Sequence, residues 1–192
     1  MKKVIALAGI MLLSGCSSQV GLLAPDQIGL ASEQTKYTSF NEFSLVDNVS
    51  PDCSGPIRKL EQELRDKSVF IEGQNLSKAE GAEDGGWLVS QYIYEFPTSE
   101  ESSEFASRLG GAILECDQRP ETQDAPELLG SSDGVAWKST ATSAFLGVDV
   151  TINRADAIAA KDNRLIFVQA FAEENALSLA EVERVVSKAL GN

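Results

Sequence analysis

The chain has 192 residues, 43% of them hydrophobic, with a formal net charge of −13 and no histidine at all. That length suits one domain with a sizeable core, and the acidic balance makes nucleic acid and anionic headgroups unfavourable partners. The missing imidazole removes Ser-His-Asp and Cys-His catalysis, histidine-ligated metals and the ordinary neutral-pH switch.

Lys2 and Lys3 precede an apolar run from Val4 to Leu13, which ends at Ser14-Gly15-Cys16. Ten residues make about 15 Å of helix, short of a ~30 Å hydrocarbon core. Residues 1–15 therefore read as a cleavable export signal and not a membrane span. Leu13-Ser14-Gly15-Cys16 resembles the lipobox of bacterial lipoproteins. That resemblance implies a diacylglyceryl group on the Cys16 sulfur, cleavage before Cys16 and an anchor on the extracytoplasmic face of the cell membrane. The alternative is a plain secretory signal with a chance cysteine. Cleavage loses Lys2 and Lys3 and no acid, which takes the net charge from −13 to −15. Attachment then depends on the acyl chains, at about 0.8 kcal/mol per buried methylene.

Residues 16–24 read as the lipidated cysteine and a tether, the eight residues after Cys16 spanning at most about 28 Å; residues 25–192 read as a single domain. Cys53 and Cys116 are the two cysteines left over. In an exported chain they read as one disulfide closing a loop of about 64 residues, worth roughly 4 kcal/mol in the chain-entropy model. The alternative is two inert buried thiols. Two cysteines without histidine make a poor zinc site.

Along the domain, Pro25 to Ile28 opens a short helix, and Tyr37 to Val46 reads as a weak strand. Pro56 suits a first helical position, with Ile57, Leu60 and Leu64 on one face. Ser68 to Ile71 reads as a strand, and polar, glycine-bearing Gly73 to Gly86 as a surface loop. Trp87 to Phe96 has apolar residues on both faces, the mark of an interior strand. Thr98 and Glu101 form a capping box for a helix whose stripe runs Phe105, Leu109, Ala112, Ile113, Cys116. Arg119 to Asp133 reads as a loop. Strands follow at Val135 to Thr140, Phe145 to Arg154 and Leu165 to Phe171, with Asp162-Asn163 as the turn into the last. Ser178 and Glu181 cap a final helix with a Leu177–Val182 staple, a Val182, Val185, Val186, Ala189 stripe and Gly191 to end it. The fold class is α+β: a twisted antiparallel sheet of about five or six strands with helices packed against it.

No motif spells out a reaction. Gly130-Ser131-Ser132-Asp133-Gly134 matches G-x-S-x-G, but a nucleophile elbow needs a strand before the serine and a helix after it. Here a loop precedes, a strand follows and no histidine takes the proton. Glu80, Glu83 and Asp84 share a loop, yet their spacing matches no calcium loop. Phosphate-cradling glycine motifs are absent, and no cofactor or metal is implied. Glu95 and Asp149 are the carboxylates nearest a conceivable cleft, and they read as solvated. Trp87, Tyr92, Tyr94, Trp137 and Phe145 are the candidate lining of an apolar ligand cleft; the plain alternative is core.

These features resemble the extracytoplasmic sensor-domain family of the mycobacterial kinase PknH and the actinobacterial lipoproteins built on that domain. The residues that carry the likeness are Leu22-Leu23 with Asp26-Gln27-Ile28-Gly29, Cys53 before a helix, and the Val89 to Phe96 strand running into the Ser99 to Cys116 helix. Val148-Asp149-Val150, Asp162-Asn163 and the terminal amphipathic helix complete it. The resemblance implies a twisted antiparallel sheet with helices around a cleft that binds an unidentified ligand. Many family members carry two disulfides, whereas this chain can form one. It lacks the kinase and the membrane span. The expectation is a non-catalytic, lipid-anchored binding or sensor-like domain whose partner is an apolar or cell-wall-derived ligand. The alternative is an assembly lipoprotein that binds another envelope protein.

Overall fold

The computed structural model describes residues 22–30, 35–39, 54–78, 86–115, 127–128, 134–145 and 148–190. Their elements in chain order are β1 (Thr35–Ser39), α1 (Ser54–Lys67), β2 (Val69–Lys78), β3 (Trp87–Glu95), α2 (Ser99–Leu114), β4 (Glu127–Leu128), β5 (Gly134–Phe145), β6 (Val148–Lys161), β7 (Arg164–Glu173) and α3 (Leu179–Ala189). The strands form one sheet in the order β1-β2-β3-β7-β6-β5-β4, antiparallel at every pairing. Five strands are long. Two short ones, β1 and β4, sit at the edges and bring the total to seven, against the five or six expected.

Apolar residues on both faces of β3 and β7 require cover on both sides, and the helices divide accordingly. α1 and α2 bury Ile57, Leu64, Phe105, Leu109 and Ile113 against Tyr92, Tyr94, Phe167, Ile158 and Val135. On the opposite face, α3 and the segment Leu22–Leu30 bury Val182, Val185, Val186, Ile28 and Leu30 against Val89, Ile166 and Val168. Here β6 presents Ala155, Ala157 and Ala159, small side chains that let α3 lie close to the sheet. Aromatic edges lock the first core: Phe70 on Tyr94 at 5.3 Å, and Tyr94 on Phe167 at 5.8 Å.

Both expected helix caps form, the reciprocal box at Ser178 and Glu181 and the hydroxyl half of one at Thr98. The Thr98 hydroxyl accepts from the Glu101 amide at 3.2 Å, and the Ser178 amide donates to the Glu181 carboxylate at 2.9 Å. Asp162 takes φ 54° in the β6–β7 turn, and the Ser102 hydroxyl of α2 donates to its carbonyl at 2.7 Å. Gly134 opens β5 where a Cβ would lie 2.3 Å from the Ile158 carbonyl oxygen, so close approach of the strands accounts for the glycine.

Three expectations change. Gly73 to Lys78 is strand, not loop: Leu76 is buried, and the polar residues around it pair with β1 and β3, an override of weak strand propensity by tertiary pairing. Phe145 to Arg154 is not one strand, since β5 ends at Phe145 and β6 begins at Val148. β6 then runs on through an alanine-rich stretch to Lys161. Pro25 to Gly29 is a turn, not a helix, closed by the Leu30 amide on the Pro25 carbonyl at 2.7 Å. Of the weak strand Tyr37 to Val46, Tyr37 to Ser39 falls in β1 as expected, and residues 40–46 lie outside the described residues.

Candidate functional site

Register brings five side chains into one row across the sheet. Asn75 on β2 pairs with Ser90 on β3, Ser90 with Gln169 on β7, Gln169 with Asp156 on β6, and Asp156 with Trp137 on β5. Directly opposed residues in an antiparallel ladder point to the same face. The face is that of α1 and α2, and the next row along it is Tyr92, Phe167, Ile158 and Val135. Where those apolar residues stop, the polar row starts.

Asp156 is its centre, only 1% exposed. Its carboxylate accepts from Gln169 Nε2 at 3.0 Å and from Arg154 Nη2 at 3.1 Å, with Arg154 Nε as a further donor. Arg154, two residues earlier on the same strand face, stacks its guanidinium 4.9 Å from the centre of the Phe171 ring. Burial pushes the Asp156 carboxyl above the ordinary carboxylate range, opposed by the Arg154 charge and the two donors. Ser90 hydrogen-bonds the Tyr92 side chain, whose phenol is likewise pushed up by burial. At the β2 end, Asn75 Oδ1 is buried and has no hydrogen-bond partner among the described residues.

The row thus offers two amides, a hydroxyl and a carboxylate–guanidinium pair between two apolar surfaces, Trp137 and Phe171. Ser90, Gln169, Asp156 and Trp137 are all buried, and the chemistry of the row, polar groups beside apolar faces, is of the kind that orients a ligand with both. It holds no nucleophile beside a base, because the hydroxyl of Ser90 is engaged with Tyr92. Among the described residues no group of three or more histidine, cysteine, aspartate or glutamate side chains is placed to hold a metal ion.

The chain is similar to the extracellular domain of PknH from Mycobacterium tuberculosis in its crystal structure. The identity is 14%, the alignment covers 92% of this chain and 92% of that chain, and the TM-score is 0.48. No protein-family model and no curated protein matches the chain.

Of the expected cleft residues, Tyr92, Tyr94 and Trp137 share the buried core under α1 and α2. Trp87 packs on the opposite face, beneath α3, so these aromatics do not line one cleft. Phe145 pairs with Val148 at the far end of the β5–β6 hairpin. Glu95 forms an ion pair with Arg164 at 3.3 Å. Asp149 lies at the other end of the sheet, in an open groove of about 420 Å³ with Val150, Thr151, Glu173, Glu174 and Asn175. Cys16, Cys53, Cys116, Ser131, Ser132, Glu80, Glu83 and Asp84 lie outside the described residues. No helix among the described residues is long and apolar enough to cross a membrane.

Reading the sequence missed the polar row. Asn75 fell in an expected loop and Asp156 between expected elements. The usable signal was a polar residue in an apolar context: Ser90 inside Trp87 to Phe96, Gln169 inside Leu165 to Phe171, and Asp156 between alanines.

Proposed function

We propose that the chain is a lipid-anchored, extracytoplasmic binding domain without catalytic activity, holding a small ligand against the polar row from Asn75 to Trp137. The observation that carries this reading is the buried, unpartnered Asn75 Oδ1. A buried acceptor left unpaired costs roughly 1–3 kcal/mol, and a donor from a bound molecule removes that cost. The buried Arg154–Asp156 pair adds support. Apolar residues in its place would fold as well or better, so its chemistry points to recognition. A hydroxyl-bearing ligand with an apolar face, such as a cell-wall-derived glycan or a lipid headgroup, meets both demands.

The anchor rests on Leu13-Ser14-Gly15-Cys16. A Cys53–Cys116 disulfide belongs to the same reading. Glu63 and Lys67 late in α1 adjoin Glu101, Glu104 and Arg108 early in α2, an antiparallel arrangement that brings the start of α1 towards the end of α2.

Titration of the mature protein with muropeptides and with phospholipid headgroups tests the binding reading. Trp137 adjoins the row, so binding is expected to quench tryptophan fluorescence and raise Tm through linkage, and Asn75→Ala is expected to weaken both. Ligand-dependent changes that persist undiminished in Asn75→Ala and Gln169→Leu would move the site elsewhere. Turnover of an ester, peptide or glycan substrate would refute the non-catalytic reading.

A further inference from the structure

The large apolar side chains most exposed among the described residues are neighbours: Val69 at 65% and Ile71 at 42%, both at the start of β2. β1 pairs with β2 only from Gln74 onwards and leaves this stretch without a β1 partner. Isolated apolar exposure needs no explanation by itself. What gives this pair meaning is where the chain enters the domain.

Leu23 is gripped through its backbone. Its amide donates to Gln91 Oε1 at 3.1 Å, and its carbonyl accepts from Gln91 Nε2 at 3.1 Å and Gln74 Nε2 at 2.8 Å. The Leu22 amide donates to Glu72 Oε1 at 3.4 Å. Read backwards, the segment therefore runs from Gln74 to Glu72, towards Ile71 and Val69. From Leu22 to Cys16 there are six Cα steps, at most about 22 Å. From the level of Lys161, at the same end of the sheet three strands across, to Thr151 at the opposite end of β6 is ten residues, about 33 Å. The tether is shorter than the sheet, and it leaves from the corner that carries the exposed apolar pair.

We propose that this corner, Val69 and Ile71 at the start of β2, rests on the bilayer at the headgroup level, with the far end of the sheet pointing away. The inference depends on the Cys16 anchor. The acyl chains supply the affinity, and the apolar pair supplies the orientation, since two aliphatic side chains at the interface favour this pose over others the tether allows. The basic residues Arg65 and Lys67 that precede Val69 are engaged with Glu61 and Glu63, each at 2.8 Å, so the proposed contact is apolar.

The test uses the mature lipidated chain in phosphatidylcholine vesicles with and without dibrominated acyl chains. Single variants Val69→Trp, Ile71→Trp and, at the far end, Thr142→Trp add a reporter to the native tryptophans. Thr142 is exposed on β5, so a reporter there is tolerated. The added emission at 69 or 71 is expected to be quenched about threefold or more over that at 142, as for side chains roughly 5–10 Å into the headgroup–acyl boundary. Equal quenching at the three positions, or stronger quenching at 142, overturns the orientation. Flotation separates the two claims: protein that fails to float with vesicles refutes the anchor and the proposal with it, whereas floating protein with unquenched Val69→Trp and Ile71→Trp refutes only the proposal. A protein partner that protects both reporters in anchored protein without bromolipid quenching assigns the patch to that partner and also overturns it.

Discussion

Gln169 on β7 and Asp156 on β6 face each other in register, and Gln169 Nε2 donates to Asp156 Oδ1 at 3.0 Å. Both are buried in the interior of the sheet, with the row of Tyr92, Phe167, Ile158 and Val135 on one side and Phe171 and Arg154 on the other. Arg154 Nη2 donates to the same oxygen and Arg154 Nε to the other, so the carboxylate is held from two strands.

Arg154→Met should expose the cost of that carboxylate. Burial raises the Asp156 pKa above its ordinary value, so the folded chain holds the proton more tightly than the unfolded one. The stability contributed by that preference is present below the ordinary carboxylate pKa and is lost as pH rises through the folded value. Without the guanidinium the folded pKa rises further. Urea denaturation should show a loss of about 3 kcal/mol at pH 7 and clearly less at pH 4.5. An equal loss at both pH values would show that the arginine acts through its packing on Phe171.

Two glycines should respond in opposite directions to alanine. At Gly134 a Cβ would collide with the Ile158 carbonyl and the Ala159 backbone, so Gly134→Ala should cost roughly 2–3 kcal/mol. At Gly111, within α2, nothing lies within 4 Å of the added Cβ, so Gly111→Ala should stabilise by about 0.5–1 kcal/mol. Thermal melts of the two variants beside the parent chain decide the matter.

Gln91→Leu removes two of the three side-chain amide bonds that hold the Leu23 backbone and leaves the one from Gln74. The expected result is a modest loss of about 1–2 kcal/mol and faster protease cleavage within residues 22–30. Unchanged cleavage kinetics would mean that the Gln74 bond and the burial of Ile28 and Leu30 suffice to hold the segment.

Non-reducing peptide mapping of protein taken from its envelope should recover Cys53 and Cys116 in one linked species. Reduction should then lower stability by roughly 4 kcal/mol at most. Two alkylatable thiols in that material would contradict the pairing. Metabolic labelling with a fatty-acid probe should mark the parent chain and not Cys16→Ser, and label on the variant would refute the anchor.

Local chemistry was readable from the sequence. The helix caps at Thr98 and Ser178, the stripes of α1, α2 and α3, the interior character of β3 and the turn at Asp162 all depend on residues within a few positions of one another. The fold class follows from their sum, and the anchoring reading rests on Leu13 to Cys16 alone. Tertiary structure decided what depends on register. The second half of β2 is polar and glycine-bearing, and Arg154 to Ala160 is rich in alanine, so neither announces a strand; pairing with β1, β3, β5 and β7 makes them strands. Which face an aromatic takes is settled the same way, since an odd separation along β3 puts Trp87 and Tyr92 on opposite sides of the sheet. The polar row joins Asn75 to Asp156 across four strands. No short-range pattern can encode a neighbourhood that exists only once those strands lie side by side.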